Sequence, residues 1–300
     1  MLKALPGFLL ALALALPAQS QGLADRYRES HRGWEAALER GEGAQTRRAV
    51  EVMIQREGAL SGTSDYNEMR ALVGLYDLAA RACVLDGAWE DAVGYLQKAL
   101  DTATLNYDQA SATFGRIRKE HDAKLPGWRE AVTGMEARLK TIDDYHGLTE
   151  QLLKERDQLK VTLADHKAAI AHSERSLKEM DGILDTLRQT REAFTRSLAE
   201  WKTFIEKERQ EVVQAGSPTR YAEGRVEQLK ADETRPKFER IAFTRRLLKV
   251  DPTCAAAKSL LGSLTGSAPA EAESAAKHPA AKATKKAPAK APAKKGRKRR

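Results

Sequence analysis

From Trp128 to Val212 apolar residues return at alternating spacings of three and four, the stripe of a helix that packs along its length on another helix. One position of the seven-residue cycle holds Trp128, Met135, Ile142, Leu163, Ile170, Leu177, Leu184, Leu198, Ile205 and Val212, and the other holds Ala131, Tyr145, Leu152, Leu159, Met180, Leu187, Phe194 and Trp201. Seven polar residues interrupt the seam: Arg138, Thr149, Arg156, His166, Ser173, Arg191 and Glu208. Of these, Arg156, His166 and Arg191 are the candidates for fixing coiled-coil register, because a polar group in a seam weakens it while restricting how the helices align. Their stems can equally carry the polar ends out to water. Unbroken, this helix would be about 125 Å long at 1.5 Å per residue. Gly147 and Gly182 argue against continuity, and Asp181-Gly182 is the strongest turn signal in the run. A turn there folds the seam into two arms of one chain; no turn favours a homodimer.

Upstream, Leu100, Ala103, Tyr107, Ala110, Phe114 and Ile117 continue a helical stripe to about Lys124, and Leu125-Pro126-Gly127 then predicts a reversal. Other breaks are expected at Gly41-Glu42-Gly43, from Gly58 to Asp65, at Asp86-Gly87 and at Gly216-Ser217-Pro218, with Thr63 or Ser64 as an N-cap. No strand-like alternation occurs, so the fold class is all-α. The expected organisation is a signal peptide over 1–20, helical hairpins over 21–105, long coiled-coil helices over 106–215, a C-terminal helical hairpin over 216–265 and a disordered tail over 266–300.

Between these breaks Tyr76, Ala79, Ala80 and Cys83 are followed by Gly87, Trp89, Ala92, Leu96 and Ala99, small residues where two short helices would approach and large ones to fill between them. This segment resembles a tetratricopeptide repeat. Leu247-Leu248-Lys249-Val250-Asp251-Pro252 is similar to the end of such a repeat, and Leu261-Gly262 to the start of the next. The resemblance implies that Tyr76, Ala80, Gly87, Trp89, Ala92, Leu96, Ala99, Pro252, Leu261 and Gly262 pack the repeats, and that the hairpins bind a protein. Cys83 stands where the family carries an aromatic residue, and Thr104 where a proline is common.

Composition changes the picture at the ends. Lys3, the apolar run Phe8 to Leu16 and Ala18-Gln19-Ser20 have the layout of a cleaved secretory signal, and the run falls short of the roughly 20 residues that span a bilayer. The expected location is therefore the periplasm or the exterior. From Lys277 to Arg300 eleven bases and no acid occur. Of the chain's 51 bases and 42 acids those eleven, with Lys3, account for the whole basic balance; the body between them is slightly acidic. Lys282, Lys285, Lys286, Lys290, Lys294, Lys295, Arg297, Lys298, Arg299 and Arg300 are the candidate polyanion-binding residues, acting by charge density and counterion release. Alanine and proline fill the rest, too little apolar surface to fold. The tail is similar in composition to linker-histone tails, which neutralise DNA, and to the tails of heparin-binding haemagglutinins, which hold sulfated glycans. It carries no interleaved aromatics for stacking on bases.

Reaction chemistry is not arranged anywhere in the pattern. His166 and His172 lie six apart, off a common helical face, and the other histidines lack ligand-spaced partners. No phosphate-cradling glycine loop or nucleophile elbow occurs. Cys83 and Cys254 read as two free core thiols or as one bridge between distant segments. The expectation is an exported, non-enzymatic scaffold without cofactors, binding a protein through its helices and a polyanion through its tail. The alternatives are a purely structural cell-envelope coiled coil or a surface adhesin for acidic glycans.

Overall fold

A computed structural model describes residues 22–57, 65–232 and 234–266. Eight helices and no strand occur among them: α1 (Leu23–Glu39), α2 (Gly43–Glu57), α3 (Tyr66–Leu85), α4 (Trp89–Asp143), α5 (Glu150–Gln214), α6 (Pro218–Ala231), α7 (Lys237–Val250) and α8 (Ala255–Thr265). The fold is all-α, with short helical hairpins around two very long helices. No helix among the described residues is long and apolar enough to cross a membrane. The expected signal segment and the basic tail lie outside the described residues.

Local chemistry sets several of the helix ends. Asp65 caps α3, its carboxylate accepting from the amides of Asn67 and Glu68; Thr63 and Ser64, expected as caps, lie outside the described residues. Ser217 caps α6, with Pro218 at the first helical position where its missing N–H costs nothing. Gly216 and Gly87 take the left-handed conformation, at φ 75° and 71°, which glycine adopts without strain.

Two expected turns are not where the chain reverses. α4 runs straight through Pro126 and Gly127 to Asp143, and α5 runs straight through Asp181 and Gly182. The reversal is the segment Asp144–Thr149, which contains Gly147 and ends with the Thr149 hydroxyl accepting from the Leu152 amide. The Trp128–Val212 seam is thus two helices. An interior proline forfeits one backbone bond and costs about 3 kcal/mol. Packing either side of it outweighs that loss: Leu125, Leu139 and Ile142 are buried on α4, with Trp128 and Met135 half-buried.

α4 and α5 form an antiparallel hairpin. As residue numbers rise along α4 those of the partners on α5 fall, from Tyr107 with Arg191 through Arg118 with Asp181, Arg129 with Glu174 and Glu136 with Lys167 to Arg138 with Glu155. At the base of this hairpin three apolar clusters meet. The first joins α1, α2 and α3 around Leu23, Val50, Leu72, Leu75 and Leu78. The second joins α3, α4 and α5 through Cys83, Trp89, Leu96, Leu198, Trp201 and Ile205. The third closes α6, α7 and α8 around Val226, Leu247, Ala257 and Leu260.

Candidate functional site

The α3–α4 turn is the point on which the base is assembled. Gly87 has its backbone against that of Arg245 and Arg246 in α7, so close that a Cβ there would collide with main chain. α7 can dock in this way only because residue 87 has neither a side chain nor a strained φ. Beside the contact the Arg246 side chain, 7% exposed, reaches the Glu90 carboxylate at 2.6 and 2.7 Å and Glu208 at 2.5 and 2.8 Å. One guanidinium so ties the start of α4, the end of α5 and α7 together. Its hydrogen bonds hold the Glu90 carboxyl below the usual range, and burial works against them.

The same guanidinium lies 4.7 Å from the centroid of the Trp89 ring, which also meets Phe204, Phe243 and Trp201 at 4.9, 5.6 and 5.8 Å. The clasp is therefore an ion triad set into an aromatic cluster, from residues 156 positions apart in the chain. Glu208, an interruption of the seam in the sequence pattern, is 4% exposed here and answers to Arg246.

The expected repeat-packing residues fall in two groups. Ala80, Ala92, Leu96 and Ala99 have no exposed surface, Trp89 is buried, and Tyr76 stacks on Tyr95 at 6.4 Å. Pro252 lies exposed in the turn before α8, and Leu261 and Gly262 are half-buried. In α8 the buried residues are Ala257, Leu260 and Leu264. Cys83 and Cys254 are both buried, free and in different clusters. Burial pushes the Cys83 thiol up to about 12.

The other seam interruptions have particular surroundings. The Arg191 guanidinium lies over the Tyr107 ring at 4.5 Å. Arg156 is half-buried, 3.9 Å from Asp143 across the reversal. His166 is half-buried and its Nδ1 lies 2.9 Å from the Thr162 carbonyl one turn back. Ser173, a polar interruption of the seam on α5, is 1% exposed. At the far end of the hairpin Tyr145 and Leu148 are 60% and 38% exposed, beside Asp143, Asp144 and Glu150.

A separate charged cluster fixes α1 on α3. Arg81 donates to both Glu35 oxygens at 2.6 Å and lies 3.9 Å from Asp77, while His31 is 3.3 Å from Glu35. Tyr27 fits against Gly74, where any Cβ would strike its ring. Burial pushes the Asp77 carboxyl up to about 7; Arg81 opposes the rise and Glu35 adds to it.

The sequence pattern pointed to Glu208 only as an anomaly and to Arg246, Glu90 and Asp77 not at all. The one available signal was a carboxylate in a dry seam position, which requires a counter-ion. No group of three or more residues that could hold a metal occurs among the described residues. The polyanion-binding candidates Lys282 to Arg300 lie outside them. Compared with known proteins, the chain matches no described family, no curated protein and no solved structure.

Proposed function

We propose that this protein is an exported, non-enzymatic scaffold. Its short helical hairpins, read as tetratricopeptide-like, bind a protein partner; the α4–α5 hairpin acts as a spacer; and the Lys277–Arg300 tail binds a polyanion such as an acidic glycan or an anionic envelope surface. The observation that carries the reading is the hairpin's reach. Leu100 on α4 and Phe194 on α5 are the last of each helix to join the clusters of the base, and α4 continues from there to Asp143, roughly 65 Å at 1.5 Å per residue. A long arm locked at one end and lined with solvated ion pairs suits separation of bound components, not enclosure of a reacting molecule. The eleven bases of the tail supply electrostatic attraction that needs no pocket.

Retention of the full chain and of a chain lacking Lys277–Arg300 on heparin, DNA and anionic vesicles, at low and high salt, tests this reading. The full chain is expected to bind at low salt and release at high salt. Equal retention of the truncated chain would sink the polyanion role and leave a structural arm.

A further inference from the structure

Along the arm α5 carries apolar residues on two opposite faces. One is the seam, where Leu159, Leu163, Ile170 and Leu177 are half-buried against α4. The other is turned away from α4. At about 100° per residue, Asp157, Val161, Ala164, Ala168, Ala171 and Arg175, spaced by four and three in alternation, lie within about 40° of one line and about 180° from the seam. All six are exposed. Leu153 falls on the same line, and it and Val161, 36% and 64% exposed, are the exposed large hydrophobics of α5 between Glu150 and Phe194. A solvated arm calls for a polar outer face; a heptad-spaced apolar stripe bounded by one acid and one base is the pattern of a helix with a second partner.

The order of residues on this face makes it complementary to itself. Laid antiparallel on a second copy about a point between Ala164 and Ala168, it sets Val161 against Ala171 of the second copy, Ala164 against Ala168, and Asp157 against Arg175 at both ends. Parallel pairing would instead set Asp157 against Asp157 and Arg175 against Arg175. The charges at the ends are available: Arg175 has no ion-pair partner among the described residues, and Asp157, 72% exposed, has its chain neighbour Arg156 at 3.7 Å. Alanines at the centre let the two backbones approach closely. Asp165, beside the axis, meets its own counterpart, and the stripe covers only about 28 Å of helix, so the contact belongs at the small, weak end of protein interfaces.

We propose that this outer face of α5 is the docking surface for a second copy of the chain, the two arms lying antiparallel across a two-fold axis near residue 166. From there α5 runs about 42 Å to Phe194, so the two bases stand at opposite ends, roughly 80 Å apart. This is not the rod dimer of an unbroken seam, because α4 of the same chain fills the seam here. The pairing rests on neither the tail nor the repeat-like hairpins, and it doubles the span of the arm.

Sedimentation equilibrium of the full chain tests it. The expected result is a reversible monomer–dimer equilibrium with a Kd on the order of 10 μM. Ala164→Glu puts two acids at the axis and should weaken association at least about tenfold. Residue 164 is exposed and glutamate is a good helix former, so thermal unfolding of the monomer should be unchanged. Asp157→Arg should weaken association about fivefold, and adding Arg175→Asp should restore it. A strict monomer at about 300 μM would overturn the proposal. A dimer that Ala164→Glu leaves intact is held elsewhere, by the tail or the hairpins, and would overturn the surface. Failure of the double charge exchange to recover association would overturn the antiparallel register.

Discussion

Where α4 and α5 leave the body, Trp89, Trp201, Leu198 and Ile205 are buried together with Glu208 and Arg246; where they reach the reversal, the α5 residues from Glu150 to His172 include none that is fully buried. The same two helices are thus held by different physics at their two ends. At the base apolar area has left the water, and the ions enclosed with it must be paired. Along the arm Leu139 and Ile142 form a thin stripe on α4 against half-covered residues of α5, and the ion pairs stand in solvent. Base contacts are expected to control global stability, and arm contacts only register and local opening.

Removing the cation of the clasp gives the sharpest contrast. Arg246→Ala leaves Glu208 buried without its partner, and breaking a buried pair in this way costs about 3–5 kcal/mol. Urea unfolding should show the whole base lost at lower denaturant. Adding Glu208→Gln to that variant should recover part of the loss, because the uncompensated charge is then gone. A change below about 1 kcal/mol would mean that water reaches the triad and that the base is no drier than the arm.

Pro126→Ala tests the other end. It restores an amide able to bond the carbonyl of Asp122 and removes a ring clash, for a gain of up to about 3 kcal/mol in a helix interior. Slower amide exchange is expected from about residue 118 to 134, with base protection unchanged. Protection that rose equally in both regions would show that arm and base open as one unit.

The misplacement of this proline explains what the sequence reveals and what it hides. Apolar periodicity showed that residues beyond Trp128 pack on a helix, and Gly87 and Gly216 marked real breaks with positive φ. Periodicity does not say which of several weak turn signals the packing overrides. Pro126-Gly127 and Asp181-Gly182 are stronger turn signals than Gly147, yet both lie where the partner helix continues on either side, so interrupting them would expose Leu125, Met180 and Leu187. The clasp was hidden for another reason: Arg246 and Glu90 lie far apart in sequence, and nothing in either neighbourhood names the other. Asn106, buried with its side-chain NH₂ group unpartnered in an otherwise apolar stripe, was likewise indistinguishable from a solvent-facing residue.

α1 offers a third kind of attachment, sensitive to pH. Asp77 has its carboxyl raised to about 7 from an ordinary value near 4, so between those values the folded chain retains a proton that the unfolded chain has released. Its contribution is complete below about pH 4 and is lost as pH rises through about 7. The facing groups are Arg81 on α3 and Glu35 and Tyr27 on α1. Asp77→Asn should flatten this slope, gaining on the order of 2 kcal/mol over the parent at pH 8 and little at pH 4. Unfolding midpoints at the two values check it. Equal slopes in both proteins would place Asp77 in water, as the arm's carboxylates are.

The smallest effect is expected from Arg129, whose pair with Glu174 at 2.7 Å is the arm's counterpart of the clasp. Its single hydrogen bond is about as short as the two that join Arg246 to Glu90, but its side chains are 60% and 51% exposed, so water already solvates both charges. An exposed pair of this kind contributes from zero to about 1 kcal/mol. Arg129→Gln should therefore shift the urea midpoint by no more than about 0.5 kcal/mol equivalent at low salt, and by less in 1 M salt, where charge interactions fade within about 3 Å. A larger and salt-independent loss would have to come from packing: the arm would then depend on size complementarity in its seam, as the base does, and not on its visible ion pairs.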